Sequence, residues 1–134
     1  MAATSLGEPL IKKALRYYKN PPFLRDLSLQ FAFLIISHLV YSRNKHLLKD
    51  AVCIAMPTRR QKWRGLNPAE EIAKQLSSSL NIPLVSMNNI PDKRILLVDD
   101  IYTTGTAMEE TASTLKAIGV KEIWGVVVAR GEAV

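Results

Sequence analysis

The sequence predicts an α/β domain, a central parallel sheet flanked by helices with further helices on its N-terminal side. Three observations carry that prediction. Residues 51–56, 95–98 and 122–129 form short, nearly continuous apolar runs, the pattern of strands covered on both faces. The segments between them repeat apolar residues every three or four positions, as amphipathic helices do. Strand and helix alternate from Ala51 onward, which implies parallel strands joined by right-handed crossovers.

A chain of 134 residues suits one domain with its own core, and we read 1–134 as a single unit, with N-terminal helices over 1–50 and the α/β core over 51–134. With 48% hydrophobic and 22% charged residues, the composition is that of a globular protein and excludes extended disorder. The net charge of +6 and pI near 9.6 suit an anionic partner, nucleic acid or a polyphosphate. The single Cys53 lies in an apolar run, which excludes a disulfide framework and a cysteine metal site and makes a reducing cytoplasm the expected location. Residues 1–9 lack the basic-then-apolar pattern of a secretory signal. The stretch 27–40 is too short to span a bilayer, so no membrane insertion is expected.

Residues 8–19 place Leu10, Ile11, Ala14, Leu15 and Tyr18 on one helical face, with Lys12, Lys13, Arg16 and Lys19 mostly off it. Asn20-Pro21-Pro22 stops this helix, and its basic residues read as a solvated face rather than a nucleic-acid contact. Residues 24–41 are apolar nearly all round, which predicts a helix covered on more than one side, with His38 a satisfied histidine. His46 reads as a surface residue.

After the strand at 51–56 comes a loop holding Thr58, Arg59, Arg60, Lys62, Trp63 and Arg64, at what should be the carboxyl edge of the sheet. Guanidinium groups bind phosphate oxygens bidentately and stay charged, so beside an acidic strand end this loop reads as an anion anchor rather than a solvated basic loop. Asn67, Pro68 and Glu70 form a capping box for a helix whose buried face is Ala69, Ile72, Ala73, Leu76 and Leu80. A weak strand over 84–87 follows.

The strand Ile95-Leu96-Leu97-Val98 ends in Asp99 and Asp100, adjacent carboxylates that no core accepts unpaired, so they belong at the strand's exit. Thr103, Thr104, Gly105 and Thr106 then make a small, hydroxyl-rich turn opening a helix with Met108, Thr111, Ala112, Leu115 and Ile118 on one face. Free backbone N–H groups, a glycine and a helix dipole make this a phosphate cradle. Thr106 and Glu109 read as a second capping box, and Gly119 as the helix-ending glycine. No Gly-x-Gly-x-x-Gly follows a strand, and no P-loop Gly-Lys-Ser/Thr is present.

The run 95–106 resembles the phosphoribosyl pyrophosphate (PRPP) motif of type I phosphoribosyltransferases. The resemblance implies a type I phosphoribosyltransferase-like fold with an N-terminal helical hood. It implies ribose contacts for Asp99 and Asp100, and the 5-phosphate for Thr103, Thr104, Gly105 and Thr106. Together with the helix Leu-Ile-Lys-Lys-Ala-Leu-Arg-Tyr-Tyr-Lys and the element Arg64-Gly65-Leu66-Asn67-Pro68-Ala69-Glu70, the run resembles the ComF family over residues 10–129. Members are associated with natural competence and are considered to bind PRPP. The resemblance therefore implies PRPP and Mg²⁺ as ligands. The magnesium would be held mainly by the PRPP, near Asp99 and Asp100 and with no direct protein ligand. The pyrophosphate would lie against Thr58, Arg59 and Arg60. Single-stranded DNA and DNA-uptake proteins are the partners it suggests.

Two features depart from the family. Its four-cysteine zinc module has no counterpart here, so no zinc site carries over, and the segment between Met87 and Lys93 is much shorter than the basic loop that active enzymes close over the pyrophosphate. The expectation is a PRPP-binding site more than an active site, with no catalytic residue assigned. Two alternatives stay open: a working phosphoribosyltransferase of nucleotide salvage, and a non-enzymatic nucleic-acid binding module.

Overall fold

The computed structural model describes residues 2–5, 7–20, 23–57, 67–88, 90 and 92–131. The elements are β1 (Ala2–Ser5), α1 (Pro9–Lys19), α2 (Leu27–Tyr41), a short 3-10 turn (Lys45–Leu48), β2 (Ala51–Ala55), α3 (Pro68–Leu80), β3 (Arg94–Tyr102), α4 (Thr106–Ala117) and β4 (Ile123–Arg130). The strands form one sheet in the order β1-β4-β3-β2, every pair parallel. The α/β fold expected from the alternation is thus present.

The continuous apolar runs are explained by burial on both faces. Cys53, Leu96, Val98, Val126 and Val128 face a layer containing Tyr18, Phe31, Ile35 and Leu76 from α1, α2 and α3. Val52, Ile54, Ile95 and Leu97 face the other way, onto Leu115 of α4. On that side Gly125 admits Met108, whose Sδ occupies the place a Cβ would take.

Several expectations need correction. The strand expected over 84–87 shrinks to one parallel bridge, Leu84 to Cys53, flanked by Cys53 N–H donating to the Pro83 carbonyl at 2.8 Å and Val85 N–H to the Cys53 carbonyl at 2.9 Å. The edge strand β1 had no apolar run to announce it. It is held by register with β4, Ala2 opposite Val127, and by Thr4 Oγ1 donating to the Val128 carbonyl at 2.8 Å. Leu10, assigned to the buried face of α1, is 77% exposed. α2 begins at Leu27 and is covered by the sheet, α1 and α3, yet Leu29, Phe33, Val40 and Tyr41 remain exposed on its outer side.

The helix ends follow local chemistry. The Asn67 side chain accepts from Ala69 N–H at 3.0 Å and donates to the Met56 carbonyl at 3.0 Å, so it caps α3 and ties it to the end of β2. Glu70 turns to Lys74, 3.6 Å away, rather than closing a capping box. The second box is also absent. Gly105, in the left-handed region at φ +81°, is the N-cap of α4, and Thr106 is its first helical residue. Gly119 (φ +103°) ends α4 as expected. Its N–H donates to the Lys116 carbonyl at 3.0 Å and Val120 N–H to the Leu115 carbonyl at 3.1 Å, the paired bonds of a Schellman turn.

Candidate functional site

β2 stops pairing at Ala55, opposite Val98, while β3 and β4 continue together to Tyr102 and Arg130. Asp99 and Asp100 therefore lie within a strand, not beyond its exit, on a stretch of β3 that β2 has ceased to cover. On the other edge β4 still pairs this stretch, with Asp99 opposite Val127 and Ile101 opposite Ala129.

The two carboxylates are not equivalent. Asp99 Oδ1 accepts from Asp100 N–H, and Asp100 Oδ1 from Ile101 N–H, each at 2.8 Å. Asp100 is only 5% exposed, and its Oδ2 has no hydrogen-bond partner. Lys19 Nζ stands 3.5 Å from that oxygen, near enough for charge attraction without an aligned hydrogen bond. Burial, and after it the neighbouring Asp100, hold the Asp99 carboxyl well above the usual carboxylate range; the Asp100 N–H and Lys19 offset part of this. Two carboxylates so placed favour the arrival of a cation or of hydroxyl donors.

Thr103, Thr104 and Thr106 are exposed, and Gly105 is buried among them. The Thr104 hydroxyl lies 3.2 Å from that of Thr106 and accepts from Thr106 N–H at 3.4 Å. The first-turn N–H groups of α4 have no intrahelical acceptor by construction, so they and three hydroxyls converge on one turn beside Asp99 and Asp100. Tyr102 packs under Gly105, and the Arg130 guanidinium lies 5.4 Å over the Tyr102 ring. A cleft of about 290 Å³ opens there, between Tyr102, Met108, Glu109, Val127 and Arg130.

Thr58, Arg59 and Arg60, and the rest of the loop through Leu66, lie outside the described residues. The last described residue before that loop, Pro57, follows Met56, whose N–H donates to the Val98 carbonyl at 2.8 Å. The described chain thus reaches Pro57 next to the Val98–Asp99 stretch of β3.

Sequence reasoning missed two residues at this end of the sheet. Lys19 was read as solvated, because nothing in a helix's own spacing tells which of its lysines meets a distant aspartate. Arg130 carried a usable signal: it directly follows the apolar run of β4, as Asp99 follows that of β3.

Magnesium suits this donor set. It is a hard cation, commonly bound by one or two carboxylates plus a substrate's phosphate oxygens, and the buried Asp100 Oδ2 is a carboxylate oxygen with spare acceptor capacity. Among the described residues no group of three or more His, Cys, Asp or Glu is placed to hold a metal by itself, and no helix is long and apolar enough to cross a membrane.

Residues 28–133 match the family described as phosphoribosyl transferase domain. The chain is 32% identical to Competence protein F of Haemophilus influenzae, in a match covering 49% of this chain and 44% of that protein. It thus spans less than half the length of that relative. Among solved structures, the purine phosphoribosyltransferase of Pyrococcus horikoshii shares the fold, with a TM-score of 0.50, 22% identity, and coverage of 77% of this chain and 84% of that one.

Proposed function

Since the chain belongs to the phosphoribosyl transferase domain family, as a ComF-like protein of that fold, we propose that it binds PRPP with Mg²⁺ at the carboxyl end of β3. The observation that carries this reading is the buried Asp100 carboxylate beside Asp99, with an oxygen that no hydrogen bond satisfies. A fold does not keep an acidic pair in that condition for stability, since each buried charge costs free energy unless matched.

In this reading Asp99 and Asp100 accept from the ribose hydroxyls, and Thr103, Thr104, Gly105 and Thr106 hold the 5-phosphate through hydroxyls and the N–H groups of the α4 terminus. Thr58, Arg59 and Arg60 hold the pyrophosphate. Bound magnesium supplies charge neutralisation between pyrophosphate and carboxylates. The chain's own part is to orient the ribose edge-on to β3 and to keep one side of the acidic pair dry.

The test is calorimetric titration with PRPP, with and without Mg²⁺. Binding that needs Mg²⁺ and is lost in Asp100→Asn is the expected result; no binding to the wild type, or unchanged binding in the variant, sinks the reading. Screening the same sample with nucleobases for pyrophosphate release reads whether binding leads to transfer.

The wider role we propose is in DNA uptake, from the relative's name and from the net charge of +6, which favours single-stranded DNA and its handling proteins as partners. The cytoplasm is the compartment in which incoming DNA and PRPP would meet. A deletion strain with undiminished transformation frequency would remove this role while leaving PRPP binding untouched.

A further inference from the structure

The C-terminal turn of α1 is anchored at one residue and free at the next. Tyr18 has no exposed surface, donates its hydroxyl to the Pro68 carbonyl at 2.7 Å, and meets the Phe31 ring edge-on at 5.1 Å. The Asn20 backbone and side-chain N–H groups both donate to the Arg16 carbonyl, at 3.0 and 3.2 Å, closing the helix end. Lys19 sits between these two fixed residues with its side chain 39% exposed, and its ammonium reaches Asp100, the buried carboxylate among the described residues.

The contact has the character of an occupant rather than a strut. A structural ion pair to a buried carboxylate saturates the oxygen it serves, because an unsatisfied buried acceptor is costly. Here Oδ2 stays without a hydrogen bond although the ammonium is 3.5 Å away. Lysine is a hydrated point charge on a flexible four-carbon stem, able to withdraw to water at small cost. Among the described residues, the Lys19 ammonium is the cation paired with Asp100.

We propose that Lys19 is a displaceable internal cation, holding the place at Asp100 that a divalent cation takes when it arrives with a pyrophosphate-bearing ligand. The proposal rests on the PRPP-binding reading for the identity of the ligand, but not for its central claim, which is competition between one ammonium and one divalent cation for Asp100. The consequence is functional. A bare divalent cation must displace Lys19 unaided and binds poorly, whereas one accompanied by an anionic ligand brings its own oxygens and gives the released ammonium new acceptors. Lys19 would thereby make cation and ligand bind together rather than singly.

The test uses Mn²⁺ alone as the probe, with no PRPP, followed by electron paramagnetic resonance of the free ion at mildly alkaline pH, where protons compete least for the acidic pair. Lys19→Gln and Lys19→Met, each checked for folding by circular dichroism, are expected to bind Mn²⁺ about fivefold more tightly than the wild type, the scale of one partly screened charge removed. Lys19→Arg should return towards the wild-type value. Equal affinity in wild type and both neutral variants, no measurable Mn²⁺ binding in any of them, or weaker binding in the neutral variants overturns the proposal. Failure of PRPP to bind the wild type in the calorimetric experiment overturns the reading of the ligand instead, and leaves the Mn²⁺ comparison standing.

Discussion

The ring of Tyr102 lies directly under Gly105, so close that a Cβ on the glycine would overlap the phenol oxygen. The last residue of β3 thus serves as the floor of the Thr/Gly turn. Gly105 is required twice over, by this contact and by its φ of +81°. Gly105→Ala is therefore expected to cost about 1–3 kcal/mol in urea or thermal unfolding, and to weaken PRPP binding by displacing the N–H groups at the start of α4. Removing the overlap in the double variant Tyr102→Ala/Gly105→Ala should leave the backbone strain but make the glycine step cheaper than it is in the wild-type background. Equal cost in both backgrounds would show that the tyrosine does not support the turn.

The Asp99 carboxyl gives a pH signature. Its folded-state value is raised above the ordinary 3.8, chiefly by burial and then by Asp100, so the folded chain holds this proton more tightly than the unfolded chain does. The stability associated with that proton is fully present below about pH 4 and is lost as pH rises through the raised folded value. Asp99→Asn cannot ionise and should escape that loss. It is expected to match the wild type near the acid end of the window and to be more stable by about 1–3 kcal/mol at mildly alkaline pH, the gap widening with pH. A gap that narrows with pH would contradict the assigned cause. The same variant should bind PRPP more weakly, the usual trade of stability for function at a buried acidic site.

What was legible in the sequence was whatever a local rule could encode. The runs at 51–56, 95–98 and 122–129 announced buried parallel strands because burial on both faces leaves no room for alternation. Asn67 and Gly119 announced helix ends because a side-chain acceptor and a left-handed backbone are local needs. The same rules misplaced the start of α4: Thr106 and Glu109 have the spacing of a capping box, but the left-handed Gly105 makes the turn first and takes the N-cap position. Relationships between distant segments were not legible. β1 consists of Ala2, Ala3, Thr4 and Ser5 and is a strand only because β4 offers it an edge. Lys19 looked like its solvated neighbours, since only the packing of α1 against the core decides which lysine meets Asp100.

Cys53 tests how closed the sheet is. It is central in β2, paired opposite Leu96, with no exposed surface, and burial pushes its thiol up to about 12. The thiolate is the reactive form, so the folded chain should resist a thiol reagent at mildly alkaline pH and react at the rate of its opening. Rapid labelling of the native protein, with no change on adding urea, would mean that the β2 side of the sheet opens far more readily than its packing allows.

Tyr18 links the core to the acidic pair. Its hydroxyl donates to the carbonyl of Pro68, the first residue of α3, and its ring fills the space between α1 and Phe31 of α2. Burial, and then the charges of Asp100 and Glu71, hold the phenol proton well above its ordinary range, so it remains a donor throughout the pH range in which the chain is folded. Tyr18→Phe removes one hydrogen bond and keeps the packing, and should cost about 1 kcal/mol. Tyr18→Ala also opens a cavity and should cost about 3–5 kcal/mol. The two variants should separate in ligand binding as well. Tyr18→Phe leaves α1 seated and Lys19 beside Asp100, so its Mn²⁺ affinity should stay at the wild-type value. Tyr18→Ala loosens the last turn of α1 and should move Mn²⁺ affinity in the direction of the Lys19 neutral variants, at a protein concentration and temperature where circular dichroism shows the chain still folded. A Tyr18→Ala variant that is folded, destabilised and unchanged towards Mn²⁺ would show that Lys19 reaches Asp100 without help from the anchor beside it.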